Sequence, residues 1–209
     1  MSSNPANPRR LILASASPRR AELLEQIGVQ FTVRPAAIDE TVRPNERPLE
    51  YVCRMAAEKA SAGFAQAATS VGKAGESPLV VLGADTAVVI DSMILGKPAN
   101  QDDAGRMLRL LSGRSHTVLS AVAATDGVRL EQRHNATDVV FRRLTDDEIA
   151  AYCATGEPAD KAGAYAIQGL GALFVSELRG SYSGVVGLPL LETSELLAAF
   201  GCYGGIRIG

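Results

Sequence analysis

Five cations, Arg19, Arg20, Lys59, Lys97 and Lys161, alternate along the chain with three carboxylates, Glu40, Asp85 and Asp160. Several cations with a few acids are what a polyphosphate and its divalent metal require. The cations offset phosphate charge, while the acids hold Mg²⁺ or Mn²⁺ and activate water. An interspersed, solvated surface contains the same residue types, and spacing alone leaves the two readings about even. Asp85 has the most demanding setting. It interrupts the apolar run LVVLGADTAVVI, where a carboxylate must be hydrogen-bonded, paired or metal-bound, because a lone buried charge costs too much. Familiar signatures are absent: there is no P-loop, no GxGxxG and no GxSxG elbow, and His116 and His134 sit in strand-like surroundings without triad or metal spacing.

The stretch that must position these groups lies near the start, at LILASASPRR. Leu11 to Ala14 suits a buried strand, Ser17 suits a helix N-cap, Pro18 the first helical position, and Leu23, Leu24 and Ile27 an apolar stripe ended by Gly28. Helix N-termini favour acidic residues, yet the first turn here holds Arg19 and Arg20. Free N–H groups, Ser15, Ser17 and two guanidinium forks at a strand–helix corner make a receptor for phosphate oxygens.

Further along, Phe31–Val33 extends the sheet, and an acidic loop leads to a helix from Pro48 to about Phe64, with Lys59 on the flank of its apolar stripe. LVVLGA and AVVI read as two strand runs separated at Asp85-Thr86, and Asp91-Ser92 turns the chain. Asn100 caps a helix whose first turn carries Asp102 and Asp103, so this one obeys the dipole rule. Strands follow at Thr117–Ala124 and Arg129–Phe141, then a capped helix from Thr145 and a polar, glycine-rich segment from Gly156 to Gly169 that is too rich in functional groups for a mere connector. Leu173–Leu178 is a strand candidate, GSYSGVVGLPL a loop and strand, and Glu192–Phe200 a closing helix.

The 209 residues suit one domain over residues 11–209, preceded by a flexible polar tail over residues 1–10. A net charge of −2 gives no general attraction to nucleic acid or to an anionic membrane, so a small ligand is expected. Three scattered cysteines argue against a disulfide framework and a zinc site, and for a reducing cytoplasm. No run reaches the length of a membrane span.

Seven ordered segments, ASASPRRAELLEQIG, IDET, VLGADTAVV, LGKP, LSGRSHTV, DKAGAYAIQG and SYSGVVGLPLLET, resemble the Maf family of nucleoside triphosphate pyrophosphatases from about Leu11 to Phe200. The resemblance implies an α/β fold, with a long mixed central sheet flanked by helices and two lobes around a deep cleft, similar to inosine triphosphate pyrophosphatases. It implies divalent-metal-dependent hydrolysis of a nucleoside triphosphate to the monophosphate and pyrophosphate, and a homodimer. By the same resemblance Ser15, Ser17, Arg19, Arg20, Lys59 and Lys161 bind phosphates, Glu40 and Asp85 hold metal, and Asp85, with Glu40 and Lys97, carries catalysis. Arg19, Thr86 and Gln168 match the branch acting on dTTP and UTP. A rival reading is a nucleotide-binding regulator of cell division; another is a house-cleaning enzyme for modified pyrimidine nucleotides.

Overall fold

The computed structural model describes residues 9–69 and 77–205. The expected tail therefore lies outside the described residues as far as residue 8, and residues 70–76 lie outside them as well. Arg10 already belongs to the sheet. Seven strands form it: β1 (Arg10–Leu13), β2 (Thr32–Val33), β3 (Leu79–Ile90), β4 (Met93–Leu95), β5 (Ser115–Thr125), β6 (Leu130–Phe141) and β7 (Val175–Arg179). Their order is β2-β1-β3-β5-β6-β7, with β4 folded back on β3. The β1–β2 and β1–β3 pairs are parallel and the others antiparallel, so the sheet is mixed as expected. Among the described residues six α-helices flank it, α1 (Pro18–Gln26), α2 (Pro48–Ala68), α3 (Gln101–Leu111), α4 (Asp146–Ala154), α5 (Tyr182–Val186) and α6 (Leu190–Ala199), with three short 3-10 turns between α4 and β7. Among the described residues no helix is long and apolar enough to cross a membrane.

Side chains alternate across a strand, so β3 sends Val81, Gly83 and Asp85 to one face and Leu82, Ala84 and Thr86 to the other. The first face is covered by α2, which comes so close that a Cβ on Gly83 would lie 2.3 Å from the Ala56 carbonyl oxygen. The second face carries two separate packs. Leu24 of α1 and Leu196 and Leu197 of α6 cover Leu13, Leu82 and Ala84, while Leu108 and Leu111 of α3 and Ile149 of α4 cover Val88, Ile90 and Phe141. Thr86 falls between the packs.

The edge of β3 reinforces this division. β1 pairs with Leu79–Leu82 and β4 with Val88–Ile90 on the same side, which leaves Gly83 to Ala87 without a strand neighbour there. A cleft opens at that gap.

Three sequence expectations change. Asp85-Thr86 does not divide two strands, because Asp85 is neutralised by Lys59 and β3 runs unbroken through twelve residues. Ser17 precedes α1 but makes no side-chain cap; its own N–H donates to Ser15 Oγ at 3.2 Å. GSYSGVVGLPL supplies no strand. Ser181 Oγ instead accepts from Gly184 N at 3.0 Å and starts the short helix α5.

Candidate active site

The cleft has a volume of about 560 Å³ and draws its lining from the β1–α1 corner, the loop before α2, the middle of β3 and the segment after α4. Lys59 projects from α2 onto β3, where its Nζ donates to Asp85 Oδ1 at 2.7 Å and pairs with Glu40 Oε1 at 2.8 Å. Lys59 and Asp85 are 8% and 7% exposed, so the pair is effectively inside the protein. Asp85 Oδ2 accepts no hydrogen bond from the described residues, which leaves one oxygen for a water or a ligand.

One ammonium thus serves two carboxylates whose environments differ. Burial dominates at Asp85 and pushes its pKa above the ordinary aspartate value, against the opposing pull of Lys59 and Arg20. At the half-exposed Glu40, burial is outweighed by the Lys59 bond and by the charges of Lys59, Lys97 and Arg20, and the pKa falls. Neighbouring acids displaced in opposite directions are suited to separate roles, one a proton acceptor and the other a fixed charge.

Two arginines adjacent in sequence do different work. Arg20 Nε donates to the Gly187 carbonyl at 2.9 Å, Nη1 to Ala84 O at 2.9 Å and to Ser15 Oγ at 3.1 Å, and Nη2 to Thr86 Oγ1 at 3.4 Å. Those contacts occupy four of the five N–H groups of a guanidinium, so Arg20 ties α1 to the unpaired edge of β3 and keeps at most one donor for a phosphate. Its pKa is lowered by burial, with Asp85 opposing. Arg19 turns the other way, 3.6 Å from Asp160 Oδ2. Asp160 also pairs with Lys161.

Ser15, Ser17, Arg19, Arg20, Glu40, Lys59, Asp85, Thr86 and Lys97 all line this cleft. Lys161 and Gln168 do not: Lys161 reaches it only through Asp160, and Gln168 stands exposed on the turn that follows. Thr86 Oγ1 lies 3.3 Å from the Gly187 carbonyl and 3.2 Å from Ser120 Oγ. Sequence reasoning passed over Tyr51, whose hydroxyl donates to the Glu40 carbonyl at 3.1 Å and whose pKa is pushed up to about 12 by burial and the Asp85 and Glu40 charges. The signal was present. Tyr51, Met55 and Lys59 are four apart and share one face of α2.

Glu40 and Asp85 also suit a hard cation. Both aim an oxygen at one common point, now held by the Lys59 ammonium, and two carboxylates plus phosphate oxygens are an ordinary Mg²⁺ environment. Among the described residues no third His, Cys, Asp or Glu joins them.

Fold and cleft together define a class: an α/β protein with a mixed sheet whose interrupted strand edge gathers cations and two carboxylates around a space for a phosphorylated small molecule. Residues 10–200 match the Maf-like protein family, and the chain belongs to that family. It is 56% identical over 188 residues to a dTTP/UTP pyrophosphatase from Pseudoalteromonas atlantica, covering 90% of this chain and 95% of that protein. Proteins of the same name from Aromatoleum aromaticum and Chromobacterium violaceum are 50% and 52% identical, over 92% and 93% of this chain and 96% of each. Among solved structures, a HAM1 protein from Coxiella burnetii aligns with a TM-score of 0.46 and 19% identity, over 66% of this chain and 75% of that one.

Proposed function

We propose that this protein hydrolyses dTTP and UTP to the nucleoside monophosphate and pyrophosphate, with a divalent cation, Mg²⁺ or Mn²⁺, held by Glu40 and Asp85. The observation that carries the reading is the Lys59 ammonium set 2.7 Å from buried Asp85 and 2.8 Å from half-exposed Glu40, in a cleft also lined by Arg19 and Lys97. The names of the relatives support the same substrates.

In this mechanism a water beside Asp85 Oδ2 attacks the α-phosphorus and gives its proton to that oxygen. The bond from the α-phosphorus to the bridging oxygen breaks, and pyrophosphate departs with the electron pair. Lys97, exposed and without an ion-pair partner among the described residues, and Arg19 meet the charge that develops on the leaving group. The bound cation would neutralise phosphate oxygens. Ser15 and Arg20 hold the strand–helix corner in shape, and base selection falls to Arg19 and Thr86 in the cleft and to Gln168 on the exposed turn that follows the lining residues Asp160, Ala162 and Tyr165. Three free cysteines fit a reducing cytoplasm.

The test incubates purified protein with Mg²⁺ or Mn²⁺ and dTTP, UTP, CTP, 7-methyl-GTP and modified pyrimidine triphosphates, following monophosphate and pyrophosphate together. Equimolar release from dTTP and UTP is expected. Asp85→Asn should lower kcat by ~10²- to 10⁴-fold, the usual contribution of a general base, while the protein stays folded. Turnover confined to a modified base would move the substrate. Saturable binding without turnover would favour a regulator.

A further inference from the structure

Glu157 has no place in the reaction, yet three donors converge on its carboxylate. The Tyr152 hydroxyl donates to Oε1 at 2.7 Å, Gly171 N to Oε1 at 3.1 Å and Leu170 N to Oε2 at 3.0 Å. The same Tyr152 oxygen accepts from Ala166 N at 3.1 Å. One carboxylate and one phenol thus gather three backbone amides from the segment that follows them. The approach is close, since a Cβ on Gly169 would lie 2.4 Å from Glu157 Oε2 and the carboxylate would have to shift to admit it. Burial works against the charge, but Tyr152, the two amides and Lys161 outweigh it and hold the carboxyl ionised.

The segment held in this way does not rest in a relaxed conformation. Ala164 is fully buried with φ of 60°, a left-handed geometry that persists in a residue with a Cβ only when its surroundings over-determine it. Its neighbour Gly163 has φ of 67° and donates to the Gly96 carbonyl at 3.1 Å, beside Lys97. Asp160, Ala162 and Tyr165 from this segment form a wall of the cleft, and Gln168 rides on the turn closed by Gly169 N donating to Ala166 O at 3.1 Å. No atom of Glu157 lines the cleft.

We infer that Glu157 is the positioning residue that fixes the segment over residues 160–168, whose Asp160, Ala162 and Tyr165 form the wall facing the nucleotide, and so sets discrimination among bases rather than the rate of bond cleavage. The inference rests on the triphosphate reading above. Asp85, Glu40 and Lys59 lie on other elements and keep their geometry when the wall loosens. A neutral amide at position 157 would present an NH₂ to one of three donors and lose the charge-assisted bonds to the others.

The experiment compares wild type, Glu157→Gln and Tyr152→Phe with dTTP, UTP and CTP, and records amide exchange over residues 162–172 without nucleotide. For Glu157→Gln the expected result is a KM for dTTP raised about tenfold, a preference for dTTP over CTP reduced by a similar factor, kcat within about threefold, and faster exchange at Ala166, Leu170 and Gly171. Tyr152→Phe keeps the edge-on contact with Phe174 and both amide bonds to Glu157, and should move the same quantities less far; it stands in if Glu157→Gln does not fold. Unchanged KM and base preference in an active, folded variant overturn the inference, as does a fall in kcat for every nucleotide at constant KM. Wild type that releases no pyrophosphate would sink the functional reading instead. In that event exchange alone decides the clamp, unaltered protection in Glu157→Gln overturning it.

Discussion

The Lys59 ammonium stands 2.7 Å from Asp85 and 2.8 Å from Glu40, so removing it changes both acids at once. Its first effect falls on Asp85, whose pKa is already raised by burial and is restrained by Lys59. Lys59→Met removes that restraint and should lift the Asp85 pKa further. A base must be deprotonated to work. The acid limb of kcat/KM in wild type should therefore lie above the ordinary aspartate range, and in Lys59→Met it should move higher still. The pH–rate profiles of the two proteins check this, and coincident acid limbs would mean that Asp85 is not the group being titrated. The same scale shows what sequence could and could not reveal. The clash between the α1 dipole and Arg19-Arg20 marked the site, because a charge placed against a dipole needs a reason. Which arginine faces a ligand was not legible, since the acceptors that engage Arg20, the carbonyls of Ala84 and Gly187, are far away in the chain and carry no side-chain signature.

Among the elements, α2 is the one that both covers the sheet and arms the cleft. Its Tyr51 hydroxyl holds the Glu40 carbonyl, and its Arg54 donates to the Thr41 carbonyl at 3.0 Å while gripping Glu46 with Nε at 2.5 Å and Nη2 at 2.7 Å. The loop bearing Glu40 is therefore fastened at the acid itself and just beyond it. A lysine is a point charge that cannot make the paired contact with Glu46 and reach Thr41 as well. Arg54→Lys is expected to lower kcat by ~10- to 100-fold through a misplaced Glu40, the penalty for displacing a positioned group by about an ångström, and to speed proteolytic cleavage between residues 39 and 47. Wild-type kcat in that variant would show that the loop holds itself. Elements with local signals were legible in sequence: Asn100 and Thr145 accept from Asp103 N and Glu148 N as their spacing predicts, and Asp91-Ser92 turns the chain with both φ angles positive. Elements set by tertiary partners were not. The serines of SYSG favour a helix start over a strand once Ser181 caps its own turn.

For the molecule as a whole, the two packs on one face of the sheet meet the cleft from either side, and the one built around Val88, Ile90 and Phe141 holds a histidine against Phe141. His116 is 3% exposed, lies 2.9 Å through Nε2 from the Tyr165 hydroxyl, and leaves Nδ1 buried without a partner among the described residues. Phe141 and Tyr165 face its ring edge-on. Burial lowers its pKa to about 4 against the opposing charge of Asp138. The ordinary value is near 6.5, so below that pH the unfolded chain takes up a proton that the folded protein refuses. Stability that is full above pH 6.5 is thus lost as the pH falls toward 4, by at most ~3 kcal/mol at 1.36 kcal/mol per pH unit. Acids such as Glu46 and Glu148, held at about 2, lose their contribution only below their ordinary value of 4.5, so the window from 6.5 to 4.5 is clear of them. Asp85 acts in the opposite sense, since its raised pKa makes the folded state the better proton acceptor on the acid side. Denaturant unfolding at pH 7 and pH 5 in an Asp85→Asn background isolates His116. The loss of stability between the two should shrink by more than half in the added variant His116→Phe, even if the bulkier ring costs stability at both. An undiminished loss would assign the acid sensitivity to groups outside the aromatic cluster.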